Sequence, residues 1–317
     1  MSFLAAIGSG ARRVLGARRM AAAVWLVSFV VALPATWAMS SILEESFGAS
    51  LVQEELREGF DLEWYWQFEE GGQGIATTFG PSVVGAGAFY NNLDAWITGD
   101  LLDAFPGVVA MGILYAALWA FLMGGVLDRL ARPEAPASLS RFVQAGGWFF
   151  PRFLRLAVFT GVLYLLIYLA SNWAYGHLEF LTRDVTEEWK IFALSVLART
   201  DTFFGLALVH IASDYAKIAA VDREERSMLH ALGAGFRFIW LHLGAVLGIY
   251  FGLALVGAIL LALYAVLAPG AGQSTFAGVL LAFIVGQVFL FARLVLRLTL
   301  LGSQTAYYQA VSRPGPR

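Results

Sequence analysis

Long apolar segments alternate with short polar segments along most of the chain. A helix rises about 1.5 Å per residue and the hydrocarbon layer is about 30 Å thick, so one membrane span needs roughly 20 mainly apolar residues. The segments that meet this requirement are residues 20–39, 107–127, 153–173, 202–221, 244–267 and 276–301. The pattern predicts an all-α, polytopic transmembrane helical bundle of about six spans, forming a single domain over residues 1–317.

The composition indicates the same class of protein. Hydrophobic residues make up 59% of the chain and charged residues only 14%, and the mean hydropathy is +0.69, which is too apolar for a soluble domain. The net charge of -2 gives no general attraction to nucleic acid. The absence of cysteine excludes disulfides, thiolate catalysis and thiolate metal sites.

The distribution of arginine predicts the orientation, because cytoplasmic loops retain positive charge during insertion. Residues 41–106 carry twelve acidic residues against the single base Arg57, so this segment is expected outside the cytoplasm. Both termini are then expected inside. The arginines that support this lie in the N-terminal tail and in the loop between spans two and three: Arg12, Arg13, Arg18, Arg19, Arg129, Arg132 and Arg141.

The N-terminus also has an alternative interpretation. Its arginines, its apolar run and the small residues around Ala38-Met39-Ser40 are typical of a cleaved secretory signal. A retained span is favoured because the run is longer than the usual apolar region of a signal. Cleavage would leave five spans and an outside N-terminus.

The pattern of residues 41–106 predicts an extracytoplasmic cap that is acidic and amphipathic. Val52, Leu56, Phe60, Trp64 and Phe68 recur every four residues, and the acidic residues lie off this stripe. We expect a helix that lies on the outer leaflet or covers the bundle.

A second apolar piece, residues 81–97, follows Gly80 and is interrupted by Asn91, Asn92 and Asp94. It is too short and polar for a span, so an interfacial helix and a re-entrant helix remain open. A surface cap is favoured over a lid or pore element.

Small residues recur every four positions in spans five and six, and such rows let helix backbones approach closely where lipid supplies no hydrophobic drive for association. We expect the two rows to pair in a tight antiparallel hairpin, with dimerisation as the alternative. The rows are Gly244, Gly248 and Gly252, and Gly278, Ala282 and Gly286.

Ionisable residues inside spans are the first place to look for function, because an unpaired charge in hydrocarbon is costly. His210, Asp214 and Lys217 lie on one face of span four. A local ion pair between Asp214 and Lys217 is the favoured interpretation, and a proton or ion relay through His210 is the alternative. Arg293 and Arg297, one turn apart at the inner end of span six, could contact an anionic lipid.

The chain carries no recognisable catalytic motif, and its four histidines do not have the spacing of metal ligands. We therefore assign no catalytic residue, metal or cofactor, and an enzyme is not favoured.

Three short stretches carry a resemblance to a known group of proteins. The first is Gly59-Phe60-Asp61 with Trp64, Trp66 and Phe68, followed by Thr78-Phe79-Gly80-Pro81-Ser82; the others are Gly124-Gly125 with Asp128-Arg129 and Ala131-Arg132, and Asp214-Tyr215-Ala216-Lys217. Together they resemble an uncharacterised family of six-span bacterial inner-membrane proteins. The resemblance implies a multi-pass protein of that membrane and brings no established activity.

These observations predict a structural or scaffolding subunit of a membrane assembly. The alternative is a transporter or channel for a small solute or ion. The expected partners are the lipid bilayer and other membrane proteins or further copies of the chain, and not nucleic acid.

Overall fold

The computed structural model describes residues 1–48, 61–80, 87–100, 106–183, 187–268 and 275–312. Within these ranges the structure contains α-helices, one short 3-10 helix at Gly74–Thr78 and no strand. The helices are α1 (Phe3–Leu15), α2 (Arg18–Phe47), α3 (Leu62–Gly71), α4 (Gly87–Thr98), α5 (Pro106–Ala131), α6 (Leu139–Thr182), α7 (Glu188–Asp222), α8 (Met228–Leu241), α9 (Leu243–Leu267) and α10 (Phe276–Ser312).

Six of these helices are long and apolar enough to cross a membrane: α2, α5, α6, α7, α9 and α10. The predicted all-α multi-pass bundle is therefore confirmed. Several helices are longer than their apolar segments. Helix α6 has 44 residues, or roughly 66 Å at 1.5 Å per residue, so it extends well beyond a hydrocarbon layer of about 30 Å.

The buried side chains are concentrated at one end of the bundle, which we call the basal end. Every buried residue of α5 lies at or after Leu122, and every buried residue of α10 lies at or after Leu298. In α9 the buried residues are confined to its first turns, from Val246 to Leu253. These segments form one apolar cluster with α1, α6, α7 and α8, which we call the basal core. The opposite, distal end exposes large apolar side chains, as expected of surfaces that face lipid.

Helix α1 is part of the basal core, although the sequence analysis treated its residues only as a basic tail. Ser2 caps its first turn by accepting a hydrogen bond from the Ala5 amide, and the face with Ala6, Gly10 and Val14 is buried. A Cβ at Gly10 would lie 2.2 Å from Ser303 Oγ and 2.4 Å from the Ser303 amide nitrogen. The backbones of α1 and α10 are therefore in direct contact, which only glycine permits at this position.

Gly248 and Gly252 of the α9 row pack against α1, where the sequence predicted a pairing with the row of span six, and a Cβ at Gly244 would meet nothing within 4 Å. A Cβ at Gly248 would lie 2.9 Å from the Phe3 ring, and one at Gly252 would lie 3.0 Å from Ile7 Cδ1. At Gly286 an added Cβ would meet nothing within 4 Å. The physical reason is that α1, which was not recognised as a helix, supplies large side chains that fill the groove.

Helices α9 and α10 nevertheless pack against each other. Their contact uses Gly257, where a Cβ would lie 3.2 Å from Leu296 Cδ2, and the stacked rings of Tyr264 and Phe289, whose centroids are 4.1 Å apart.

The hairpin of α5 and α6 is held by a small-residue contact and by charge. A Cβ at Gly124 would lie 2.8 Å from the Ala145 carbonyl oxygen, so the two backbones meet there. Asp128 accepts hydrogen bonds from Arg132 and, at 2.8 Å, from Arg141 Nε. The Gly124-Gly125 and Asp128-Arg129 motif thus fixes this turn.

At the distal end, α3 confirms helix over residues 62–71 of the predicted amphipathic segment, whereas Val52, Leu56 and Phe60 lie outside the described residues. Trp64 and Phe68 of α3 form a small separate apolar cluster with Ala76. Phe47, the last residue of α2, packs on Trp64 with ring centroids 5.0 Å apart. The described part of the cap is therefore anchored to the end of the first span.

Helix α4 covers most of the second apolar piece, whose residues 81–86 lie outside the described ranges. It contacts the distal parts of α6 and α7: the Tyr168 hydroxyl donates to the Trp96 carbonyl, and Asp94 Oδ1 lies 3.7 Å from Arg199 Nη1. These contacts are compatible with a surface helix at that end, and the choice between interfacial and re-entrant helix stays open.

Candidate functional site

The structure brings together the three ionisable residues that the sequence placed on one face of α7. Lys217 Nζ lies 2.9 Å from Asp214 Oδ1, and His210 Nε2 lies 3.7 Å from Asp214 Oδ2. The side chain of Asp214 is 6% exposed, that of Lys217 19% and that of His210 45%. The buried Asp214 carboxylate is thus paired with the mostly buried Lys217 ammonium. The His210 imidazole, which is partly exposed, approaches the same carboxylate.

Partners from other helices complete the surroundings of Asp214. The Tyr250 hydroxyl of α9 donates to Asp214 Oδ2 at 3.3 Å, and Gln304 Nε2 of α10 donates to the Tyr250 oxygen. On the other side, the Tyr164 hydroxyl of α6 lies 3.4 Å from His210 Nδ1. We call these five residues the polar chain: Tyr164, His210, Asp214, Tyr250 and Gln304.

The polar chain links four helices through groups that can exchange protons or hydrogen bonds. Deeply placed charges persist in a membrane protein only where they are paired or hydrogen-bonded, and Asp214 meets both conditions. Sequence reasoning missed Tyr164, Tyr250 and Gln304 because each is a single neutral residue on its own helix. The available signal was the polar run Ser303-Gln304-Thr305, in which all three residues are fully buried.

Three buried polar atoms in the described residues have no hydrogen-bond partner: Tyr215 Oη, Gln304 Oε1 and Trp119 Nε1. Leaving such a group unpaired costs about 1–3 kcal/mol, and an ordered water or a ligand atom normally supplies the missing partner. Tyr215 directly follows Asp214, and Gln304 ends the polar chain. This region therefore has spare hydrogen-bonding capacity.

Arg293 and Arg297 lie on α10 with exposed side chains. The Arg297 guanidinium carbon lies 4.5 Å from the centroid of the Trp119 ring on α5, a favourable cation–π distance. Among the described residues, ion pairs to carboxylates are made by other basic residues, and neither of these two arginines is in one. The structure thus brings together Arg297 and an indole that sequence reasoning did not connect to it.

Two surface depressions of the described residues lie away from the polar chain. One, of about 440 Å³, is lined by α2 and by Ile75; the other, of about 370 Å³, is lined by Leu208 and by α8 residues that include Phe236 and Trp240. In the same described ranges, no group of three or more His, Asp or Glu side chains is arranged to hold a metal ion.

Comparison with protein-family models, curated proteins and solved structures finds no match. The resemblance to six-span bacterial inner-membrane proteins therefore stays a prediction.

Proposed function

We propose that the chain is a structural or scaffolding subunit of a membrane assembly rather than an enzyme. The observation that carries this proposal is the small contact area of the first span. Of the 30 residues of α2, only Ala21 and Val24 are buried. The remaining residues of this helix are exposed or half-buried, so much of its surface can contact lipid or another membrane protein.

The contacts that hold α2 in place are few and aromatic. Trp25 packs edge-on against Phe291 of α10 at 6.2 Å, and Phe29 packs against Phe283 at 6.3 Å. Helix association in lipid depends on van der Waals packing and hydrogen bonds, so a span with this little packing gains from a second partner. Its exposed side includes Trp37, which is 77% exposed.

The location of the two depressions also favours a scaffold over a transporter, because neither includes a residue of the polar chain. A substrate site normally combines a cavity with a few converging polar groups. Here the apolar depressions and the polar groups are separate.

We further propose that the protein lies in a bacterial inner membrane with its basal end and both termini in the cytoplasm. The support is the concentration of arginine at the basal end, in α1 and around the hairpin of α5 and α6, against the acidic residues of the distal cap.

The test is purification of the full chain in a mild detergent, followed by mass spectrometry of the proteins that remain bound. We expect one or more membrane proteins, or a second copy, at stoichiometric amounts. Replacing Leu33 and Trp37 of α2 by alanine should remove these bound proteins, whereas Trp173→Ala, which changes another exposed tryptophan on α6, should not. A monomer that carries no stoichiometric protein would contradict the proposal.

A transporter or channel for a small solute or ion is the second candidate, and the polar chain is the observation that favours it. His210 lies 3.7 Å from Asp214 and 3.4 Å from the Tyr164 hydroxyl, so titratable groups of two helices form a continuous line, which is an arrangement suited to a proton or ion relay. Flux in proteoliposomes should then fall in His210→Ala and in Asp214→Asn. Full flux in both variants, or none in the unaltered protein, would exclude this function.

A further inference from the structure

We propose that Arg293, Arg297 and Trp119 form a binding site for the phosphate of an anionic phospholipid, where α10 packs against α5. This inference does not depend on the proposed scaffolding function. It rests on charge balance, on the geometry around Arg297 and on depth in the membrane.

The charge of Arg293 and Arg297 is not balanced within the described residues. Arg132 and Arg141 share Asp128, but Arg293 and Arg297, four residues apart on one face of α10, make neither an ion pair nor a hydrogen bond in the described ranges. The carboxylate whose charge reaches Arg297 is Asp214, and it is already paired with Lys217. The net positive charge that remains on this membrane-facing helix favours an anion from outside the protein.

Arg297 is held in a restricted position. Its guanidinium lies over the Trp119 ring at 4.5 Å, and stacking on an aromatic ring restricts a flexible arginine. The rigid fork of donors then matches the oxygens of a phosphate. The Trp119 Nε1–H is buried, so what this ring contributes to the site is the face beneath Arg297.

The two arginines also lie at the depth of lipid phosphates. Residues 276–292 form an uncharged run of 17 residues before Arg293, which spans about 26 Å of helix. A run of this length crosses most of a hydrocarbon layer of about 30 Å. Arg293 and Arg297 therefore lie at the basal edge of the membrane, where lipid phosphates are found.

The experiment is a lipid titration of the delipidated full-length protein, followed by native mass spectrometry. The probes are phosphatidylglycerol and phosphatidylcholine with the same acyl chains. We expect the unaltered protein to bind phosphatidylglycerol at least tenfold more tightly, and Arg293→Gln/Arg297→Gln to lose this preference. Arg155→Gln is the matched control, because Arg155 is also an exposed basal arginine and bonds only to the Pro151 carbonyl of its own helix.

Two milder variants keep the test decisive if the double variant does not fold. Arg297→Lys keeps the charge but loses the planar fork, and Trp119→Phe keeps a ring but weakens the cation–π contact that holds Arg297; each should weaken phosphatidylglycerol binding several-fold. Undiminished binding in both, or in a folded double variant, would overturn the proposal. Displacement of the lipid by inorganic phosphate at low millimolar concentration would also overturn it, because the site would then take a soluble anion.

Discussion

At the scale of single residues, Gly10 is the described glycine at which an added Cβ would meet the most severe clash, and the clash is with α10. A Cβ there would lie 2.7 Å from the Thr299 carbonyl oxygen as well as within 2.4 Å of the Ser303 amide nitrogen. Both obstacles are backbone atoms, so a rotamer change cannot relieve the clash. Any side chain at this position has to push α1 away from α10.

We predict that Gly10→Ala lowers the stability of the protein by about 1–3 kcal/mol, the usual cost of overpacking a well-packed core. The measurement is the thermal unfolding midpoint in detergent, followed by tryptophan fluorescence. Gly8→Ala is the control, because it lies on the same helix and an added Cβ meets nothing within 4 Å. It should leave the midpoint unchanged or raise it slightly, since alanine favours helix over glycine. Equal midpoints for both variants would show that α1 does not pack as described.

The polar chain shows what a sequence does not reveal at this scale. His210, Asp214 and Lys217 were predictable because a spacing of three and four residues on one helix places them on one face. Tyr250 and Gln304 were not predictable, because they reach Asp214 from two other helices and no periodicity marks an interhelical contact. Arg297 was recognised as a charge in a span, but its position over Trp119 depends on how α5 and α10 pack.

At the scale of helices, the important element is α1 and the groove that receives it. Phe3 and Ile7 occupy the positions on α9 that glycine leaves open at Gly248 and Gly252. The row of small residues is therefore a docking groove for a short amphipathic helix and not a contact between two spans.

We predict that Gly248→Leu detaches α1, because its side chain would occupy the space of the Phe3 ring. The readout is the rate at which a cysteine at Ala6 reacts with a maleimide, since Ala6 is fully buried and the chain has no other cysteine. Labelling should become at least tenfold faster. Gly286→Leu, where the structure leaves open space, should not change the rate. The opposite result would restore the pairing of rows expected from the sequence.

The spans themselves were predictable because the cost of placing polar groups in lipid acts on each segment locally. The helix lengths were not predictable from the same signal. Helix α7 begins at Glu188, well before the apolar segment at residue 202, and α10 continues to Ser312. The extension of α10 is buried in the basal core, whereas that of α7 lies at the distal end, where Arg199 approaches Asp94 of α4. Hydropathy describes neither contact.

At the scale of the whole molecule, buried side chains are concentrated at the basal end. Arginines are also concentrated there, and acidic residues are concentrated in the distal cap. The loop between α5 and α6 lies at the basal end, and the turn after α3 lies at the distal end. Orientation in the membrane can therefore be tested with one exposed position in each.

We predict that a cysteine at Ala137 reacts with a membrane-impermeant maleimide only from the cytoplasmic side, and a cysteine at Gln73 only from the opposite side. Both residues are exposed, so accessibility depends on the side of the membrane and not on burial. Sealed vesicles of each orientation provide the comparison. Reversal of both patterns would overturn the proposed orientation, and labelling of both positions from one side would overturn the number of crossings between them.

The contact between α1 and the end of α10 also sets the order in which the protein can be completed. Ser303 is synthesised about 290 residues after Gly10, and at about 5–20 residues per second roughly 15 to 60 s separate them. During that interval the apolar face of α1 lacks its α10 contact and is suited to rest on the membrane surface. The contact between α1 and α10 therefore closes only after translation has delivered α10.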